Sequence, residues 1–185
     1  MASMRQRFKL IVTSAAIAVG ISVPAYAQET LDEMFEKLAT AAPDEARRIE
    51  ERIADQWSRS GSAAIDLLFQ RGRDALDADD PEAAVEHFTA VIDFAPDFAE
   101  AYHGRATAYF LTDEIGPAID DLREVLALNP RQFAAMRGLG IILEDIGRPE
   151  QALEVYEKVL AIHPHMEMVP EAVHRVQQEL EGIPL

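Results

Sequence analysis

Apolar residues return at three- and four-residue spacing along much of the chain, which is the period of helices with one buried face. In the middle of the sequence Tyr102, Ala106 and Tyr109 form one such stripe. Leu111–Pro117 interrupts it, and Ala118, Leu122, Val125 and Leu126 form a second that stops at Asn129-Pro130. Toward the N-terminus, Leu31, Met34, Phe35 and Leu38 share a face. After Pro43-Asp44, so do Ile49, Ile53 and Trp57, and Ser58–Ser62 is a break. Toward the C-terminus, Val169, Val173, Val176 and Leu180 oppose Glu171, Arg175, Gln178 and Glu179, with Pro170 suited to a first helical turn and Gly182 to a stop. The pattern predicts helices throughout.

Shifted by 34 residues, the sequence overlays on itself. Pro96, Pro130 and Pro164 coincide, as do Ala84, Ala118 and Ala152, and Val91, Val125 and Val159. The same shift aligns Phe88, Leu122 and Tyr156; Leu68, Tyr102 and Met136; and Gly72, Ala106 and Gly140. A fixed period of this length calls for stacked units of one supersecondary motif. Each unit reads as two helices. The alanines, and the small residues at Gly72, Ala106 and Gly140, are expected where paired helices approach closely. Phe88, Leu122 and Tyr156 are expected to fill the space between pairs. The prolines end each second helix by pushing the preceding residue out of the helical region. Pro81 and Pro149 fit the first turn of a second helix, where a missing N–H costs nothing, and Asp80 is placed to cap the helix that Pro81 begins.

This order of bulky, small, bulky, Ala, aromatic and Pro positions resembles the tetratricopeptide repeat. Three copies are in register: 65–98, 99–132 and 133–166. The departures are Ala75 where the family prefers an aromatic, Arg71 and Arg105 at a usually apolar position, and Leu122 in place of an aromatic. The resemblance implies an all-α, right-handed superhelical solenoid of three helix pairs. Residues 28–64 are then an N-terminal, repeat-like helical cap and 167–185 a C-terminal capping helix, because a stack of pairs has an apolar face at each end. It also implies a concave groove lined by the first helices. The groove-facing offsets place Phe69, Arg73, His103, Thr107, Phe110, Arg137 and Ile141 as candidate peptide-binding residues. The ninth offset carries Arg73, Thr107 and Ile141, so the family's Lys/Asn clamp for a C-terminal carboxylate is not supported.

Residues 1–27 read as a secretory signal. Arg5, Arg7 and Lys9 precede an apolar stretch, Leu10–Val23, and Ala25-Tyr26-Ala27 supplies a cleavage site before Gln28. The stretch is short for a membrane span, so the expectation is a periplasmic or secreted product with no stable membrane insertion after cleavage. With no cysteine in the chain, disulfides, thiol nucleophiles and lipidation at cysteine are excluded. The formal net charge is −16, and it becomes −19 once those three basic residues are removed. That balance argues against a nucleic-acid partner, which needs Lys and Arg to displace counterions.

Little in the chain suggests chemistry. His163-Pro164-His165 lacks a third ligand at suitable spacing and reads as loop histidines. Asp77–Asp80 reads as a solvated turn, and Asp120-Asp121 as a solvated helix face. Hydrolase, phosphate-loop and zinc-protease motifs are missing. The reading is of a non-enzymatic interaction module that uses no metal or cofactor and binds a peptide or partner protein in its groove. The alternative is a structural, self-assembling envelope component that uses its N-terminal helices or an exposed repeat face.

Overall fold

The structure, a computed structural model, describes residues 29–182. The signal segment read at residues 1–27 and the last three residues of the C-terminal cap lie outside the described residues. Among the described residues there are nine α-helices and no strand: α1 Leu31–Leu38, α2 Pro43–Trp57, α3 Ala63–Asp77, α4 Pro81–Phe94, α5 Ala99–Leu111, α6 Ile115–Leu128, α7 Phe133–Asp145, α8 Pro149–Ile162 and α9 Val169–Leu180. The expected helical-repeat superhelix is what forms. Pairs α3/α4, α5/α6 and α7/α8 stack in order, and α9 lies on α8.

The 34-residue period reaches the turns inside each pair. Asp79, Asp113 and Gly147 take left-handed φ values of 58°, 62° and 72°. The following N–H groups of Asp80, Glu114 and Arg148 donate back to the carbonyls of Ala75, Tyr109 and Leu143 at 2.9, 2.8 and 2.8 Å. This closure satisfies orphan carbonyls at the end of the first helix and needs one left-handed residue. Asp is among the few non-glycine residues that visit that region readily. Asp80 caps α4, its carboxylate accepting from the Ala83 N–H at 3.1 Å. Helix α6 begins at Ile115, earlier than its apolar stripe suggests. Pro117 therefore sits inside the first turn, where its absent N–H has no helical partner to lose.

Between the helices, small and large residues are matched. Phe88 is fully buried, and its ring lies against Gly72 on α3 and Gly104 on α5. A Cβ on either glycine would fall 2.5 Å from that ring. Tyr156 stands against Gly140 in the same way. In the second unit Leu122 replaces the aromatic, and there the small position is Ala106 rather than glycine. A smaller ring-position residue leaves room for one more methyl group.

The N-terminal pair does not stack ahead of the first unit as a repeat-like cap would. Helix α3 keeps its outer face in water. Leu67 is 58% exposed, whereas Ala101 and Ala135, its equivalents in α5 and α7, are fully buried against the preceding pair. Gln70 and Asp74 occupy positions that are Gly104/Gly138 and Ala108/Ile142 in the later units. Those larger and polar residues cannot take a neighbouring helix at contact distance. Met34, Phe35, Leu38, Ala46, Ile49 and Ile53 instead share a core with Phe133, Met166, Val169 and Val176 of the third unit and α9. The α1–α2 hairpin thus crosses from the start of α3 to the far end of the solenoid.

Candidate functional site

The first helices α3, α5 and α7, followed by α9, line a series of three hollows. The widest, about 550 Å³, lies between α3, α5 and the underside of α2. It is bounded by Phe69, Arg73 and Leu76 on one side, by Glu100, His103 and Thr107 on another, and by Glu51, Ala54 and Asp55 above. The next, about 150 Å³, lies between α5 and α7 and is walled by His103, Thr107, Phe110, Arg137 and Ile141. The third, about 200 Å³, lies between α7 and α9 and is walled by Arg137, Ile141, Met168 and Arg175. His103 and Thr107 border the first two hollows, and Arg137 and Ile141 the last two. The three therefore form one channel.

All seven candidate residues line this channel, in different ways. Phe69 is only 6% exposed, and its ring packs 5.6 Å from Phe88 and 5.1 Å from Phe98. It is a core residue that shows one edge to the channel, not an open contact. Arg73 is exposed and Arg137 half-buried. His103 Nδ1 is 3.2 Å from the Gln132 amide and 3.6 Å from Glu100. The Thr107 hydroxyl donates to the His103 carbonyl at 3.0 Å, so it is occupied by its own helix. Phe110 and Ile141 are 38% and 42% exposed, an apolar edge on either side of Arg137.

The arginines carry the electrostatics. Among the described residues neither Arg73 nor Arg137 forms an ion pair. Three acids of the same first helices are engaged elsewhere. Asp66 accepts from the Ser60 hydroxyl and N–H at 2.6 and 2.8 Å, and these bonds hold its carboxyl below the usual range. Glu100 accepts from the Gln132 amide at 3.0 Å. Glu144 accepts two bonds from Arg175, at 2.8 and 2.9 Å, and one from Tyr156 at 2.9 Å. The Arg175 bonds lower its pKa, while burial pushes the Tyr156 hydroxyl up. That bidentate pair pins α9 to α7, and so fixes the third hollow.

Two arginines of the first helices do not reach the channel. Arg71 stands on the open outer face of α3. Arg105 turns between α4 and α6, where it bonds Asp121 twice, at 2.7 and 2.8 Å, and Thr89 at 3.0 Å. Asp121 is 7% exposed, so the solvated-face reading of that residue is corrected. Its helix turns it inward because Arg105 is there to receive it. His163 lies in the loop between α8 and α9, as read, but that loop is not open to solvent. His163 is buried, edge-on to Phe133 at 5.4 Å, with Nε2 3.1 Å from Glu50 of α2. No group of three or more metal-ligating side chains occurs among the described residues.

The sequence reading missed Met168 and the roof of the channel. Met168 holds a left-handed φ of 65° and is 70% exposed at the channel end. No residue-type signal marks that conformation, since methionine seldom adopts it. Glu51 and Asp55 lie on the polar side of α2, and only the docking of the hairpin brings them over the channel.

A tetratricopeptide repeat family model matches residues 69–116 and 114–167. A TPR repeat-containing protein of Rhizobium etli is 32% identical over 156 residues, covering 84% of this chain and 76% of that protein. Small glutamine-rich tetratricopeptide repeat-containing protein 2 of Saccharomyces cerevisiae is 33% identical over 119 residues. Those residues are 64% of this chain but only 34% of the yeast protein. Among solved structures, MamA superposes with a TM-score of 0.61 at 24% identity, covering 84% of this chain and 87% of that one. The first TPR domain of RPAP3, bound to the HSP90 peptide SRMEEVD, superposes with a TM-score of 0.61 at 23% identity, covering 63% and 93%. At these identities the structural likeness speaks to the fold.

Proposed function

Because this chain belongs to the tetratricopeptide repeat family, we propose that it is a protein-interaction module whose channel holds an acidic or aromatic–acidic peptide segment of a partner protein. One observation carries this reading: Arg73 and Arg137 face the channel without carboxylate partners among the described residues, while Asp66, Glu100 and Glu144 of the same first helices are bonded elsewhere. A guanidinium accepts a carboxylate in a two-bond fork and stacks on aromatic faces. Phe110 and Ile141 beside Arg137 suit a ligand that sets apolar side chains around its acid. The second helices present mostly Asp and Glu outward, which directs an acidic partner away from the convex side.

The test uses a fluorescein-labelled peptide of alternating glutamate and phenylalanine. Arg73→Glu/Arg137→Glu is expected to weaken its binding by at least about tenfold, since charge-assisted bonds contribute about 1.5–3 kcal/mol each. Arg123→Glu, on the outer face and paired only with exposed Asp120, is expected to bind like the wild type. Equal affinities for all three folded proteins would refute the channel reading.

We also infer that the module works outside the cytoplasm. The basic start, the Leu10–Val23 stretch and Ala25-Tyr26-Ala27 support export. N-terminal sequencing of the exported product is expected to begin at Gln28. A membrane-bound product that retains Arg5–Lys9 would overturn it.

A further inference from the structure

The α1–α2 hairpin is joined to the solenoid at two places and spans open space between them. At the first, Ser60 bonds Asp66 at the start of α3, and Gly61 holds a φ of 83° with nothing packed against it. At the second, the ring centroids of Phe35 and Trp57 are 6.3 and 5.3 Å from Phe133 at the start of α7. Arg131 lies 4.2 Å over Phe35 and bonds Asp32 at 2.7 Å, and Glu50 meets His163. Between the anchors α2 roofs the widest hollow, presenting Glu51 toward the side that carries Arg73 and His103, beside Asp55, whose carboxylate accepts from Arg59 at 2.6 Å.

Glu51 therefore gives the roof the charge that the channel is expected to bind. Its far anchor is the core that Met34, Phe35, Leu38, Ala46, Ile49 and Ile53 share with the third unit and α9, with Trp57 partly buried against it. Trp57 is half-buried, and the Arg131–Asp32 pair is solvent-exposed, a kind of pair that contributes little. The outer face of α3, where a permanent cap would sit, is not built to receive it. We propose that α1–α2 is a hinged strap. It turns about Ser58–Ser62, and its acidic α2 face stands in for the partner until the partner displaces it from Phe133 and Arg131. This inference rests on the acidic-partner reading of the channel.

Trp57 is the only tryptophan in the chain, so its accessibility to a soluble quencher reports the strap directly. In the full chain, Arg131→Glu faces Asp32 with a like charge and removes the cation over Phe35. It is expected to make Trp57 quenchable and to tighten binding of the glutamate–phenylalanine peptide by about tenfold, the gain for a strap closed about nine-tenths of the time. Phe133→Ala is expected to act in the same direction. Saturating the wild type with peptide is expected to expose Trp57 as well. If Trp57 is freed while peptide affinity stays unchanged or falls, the strap is not a competitor and the proposal fails, with the channel reading intact. If Arg131→Glu and Phe133→Ala both leave Trp57 shielded in a folded protein, the strap does not open and the proposal fails on that ground. Binding to none of the proteins, whatever Trp57 does, would remove the acidic-partner reading and this inference together.

Discussion

Asp121→Ala is expected to lower stability by about 3 kcal/mol, the lower end of the range for breaking a buried ion pair from one side. Asp121 is the sole carboxylate bonded to Arg105 among the described residues, and both of its oxygens are used. The side chains are only 9% and 16% exposed, so water cannot replace what is lost. Arg105 also lies between the rings of Tyr102 and Tyr109, at 5.7 and 5.8 Å, which keeps it from swinging out. The third unit shows what the same two positions hold without charge, namely Leu139 and Val155. Arg105→Leu/Asp121→Val copies that pair and is expected to return to within about 1 kcal/mol of the wild type, since replacing a buried ion pair by apolar residues is often neutral or stabilising. Urea melts of the single and double variants check this. A single variant as stable as the wild type would mean that the pair behaves like a surface pair.

Gly140→Ala and Gly138→Ala are expected to move stability in opposite directions, although both place the better helix former in the same helix. At Gly140 the new methyl group falls 2.7 Å from Tyr156 Cδ1 and 2.8 Å from Cζ. That ring is buried, and its hydroxyl is tied to Glu144, which is tied to Arg175. It cannot retreat without loosening the anchor of α9. A loss of about 3 kcal/mol is expected, the upper part of the usual range for overpacking. At Gly138 the nearest atoms are Leu122 Cδ1 and Cδ2, both at 3.9 Å, an ordinary contact. There the helix preference for alanine over glycine acts alone and stabilises by up to about 1 kcal/mol. Thermal melts that shift the same way for both variants would contradict the packing of α7 described above.

The reason for that contrast was partly legible in the residue pattern. Glycine faces the aromatic in the first and third units, and alanine faces leucine in the second. Aromatic size and available space must match within one unit, so both are written into the same 34 residues. The helices, their turns and the phase of the repeat are of this kind. They follow from the period of apolar residues, from prolines that bar continuation, and from short-range closures such as that around Asp79.

Other features depend on residues that meet only after the chain has folded back on itself. The apolar faces of α1 and α2 are plain in the sequence, yet they carry no address, because any apolar face is served by burial against another. Phe133, Arg131 and His163 supply the address, and Arg131 lies 99 residues from the Asp32 it bonds. The negative half of the signal was present, in Leu67, Gln70 and Asp74, which close the outer face of α3 to a neighbour. Asp121 and Asp120 look alike as adjacent acids. Arg105 on a neighbouring helix makes one a buried partner, while the other pairs with Arg123 in water. The channel offsets were readable from the repeat, because the superhelix puts the same face of each first helix inward. That Phe69 sinks into the core, that Arg73 and Arg137 form no ion pair among the described residues, and that Glu51 and Asp55 hang above the hollow of Arg73 were settled by tertiary packing, since each depends on which side chain another helix brings within reach.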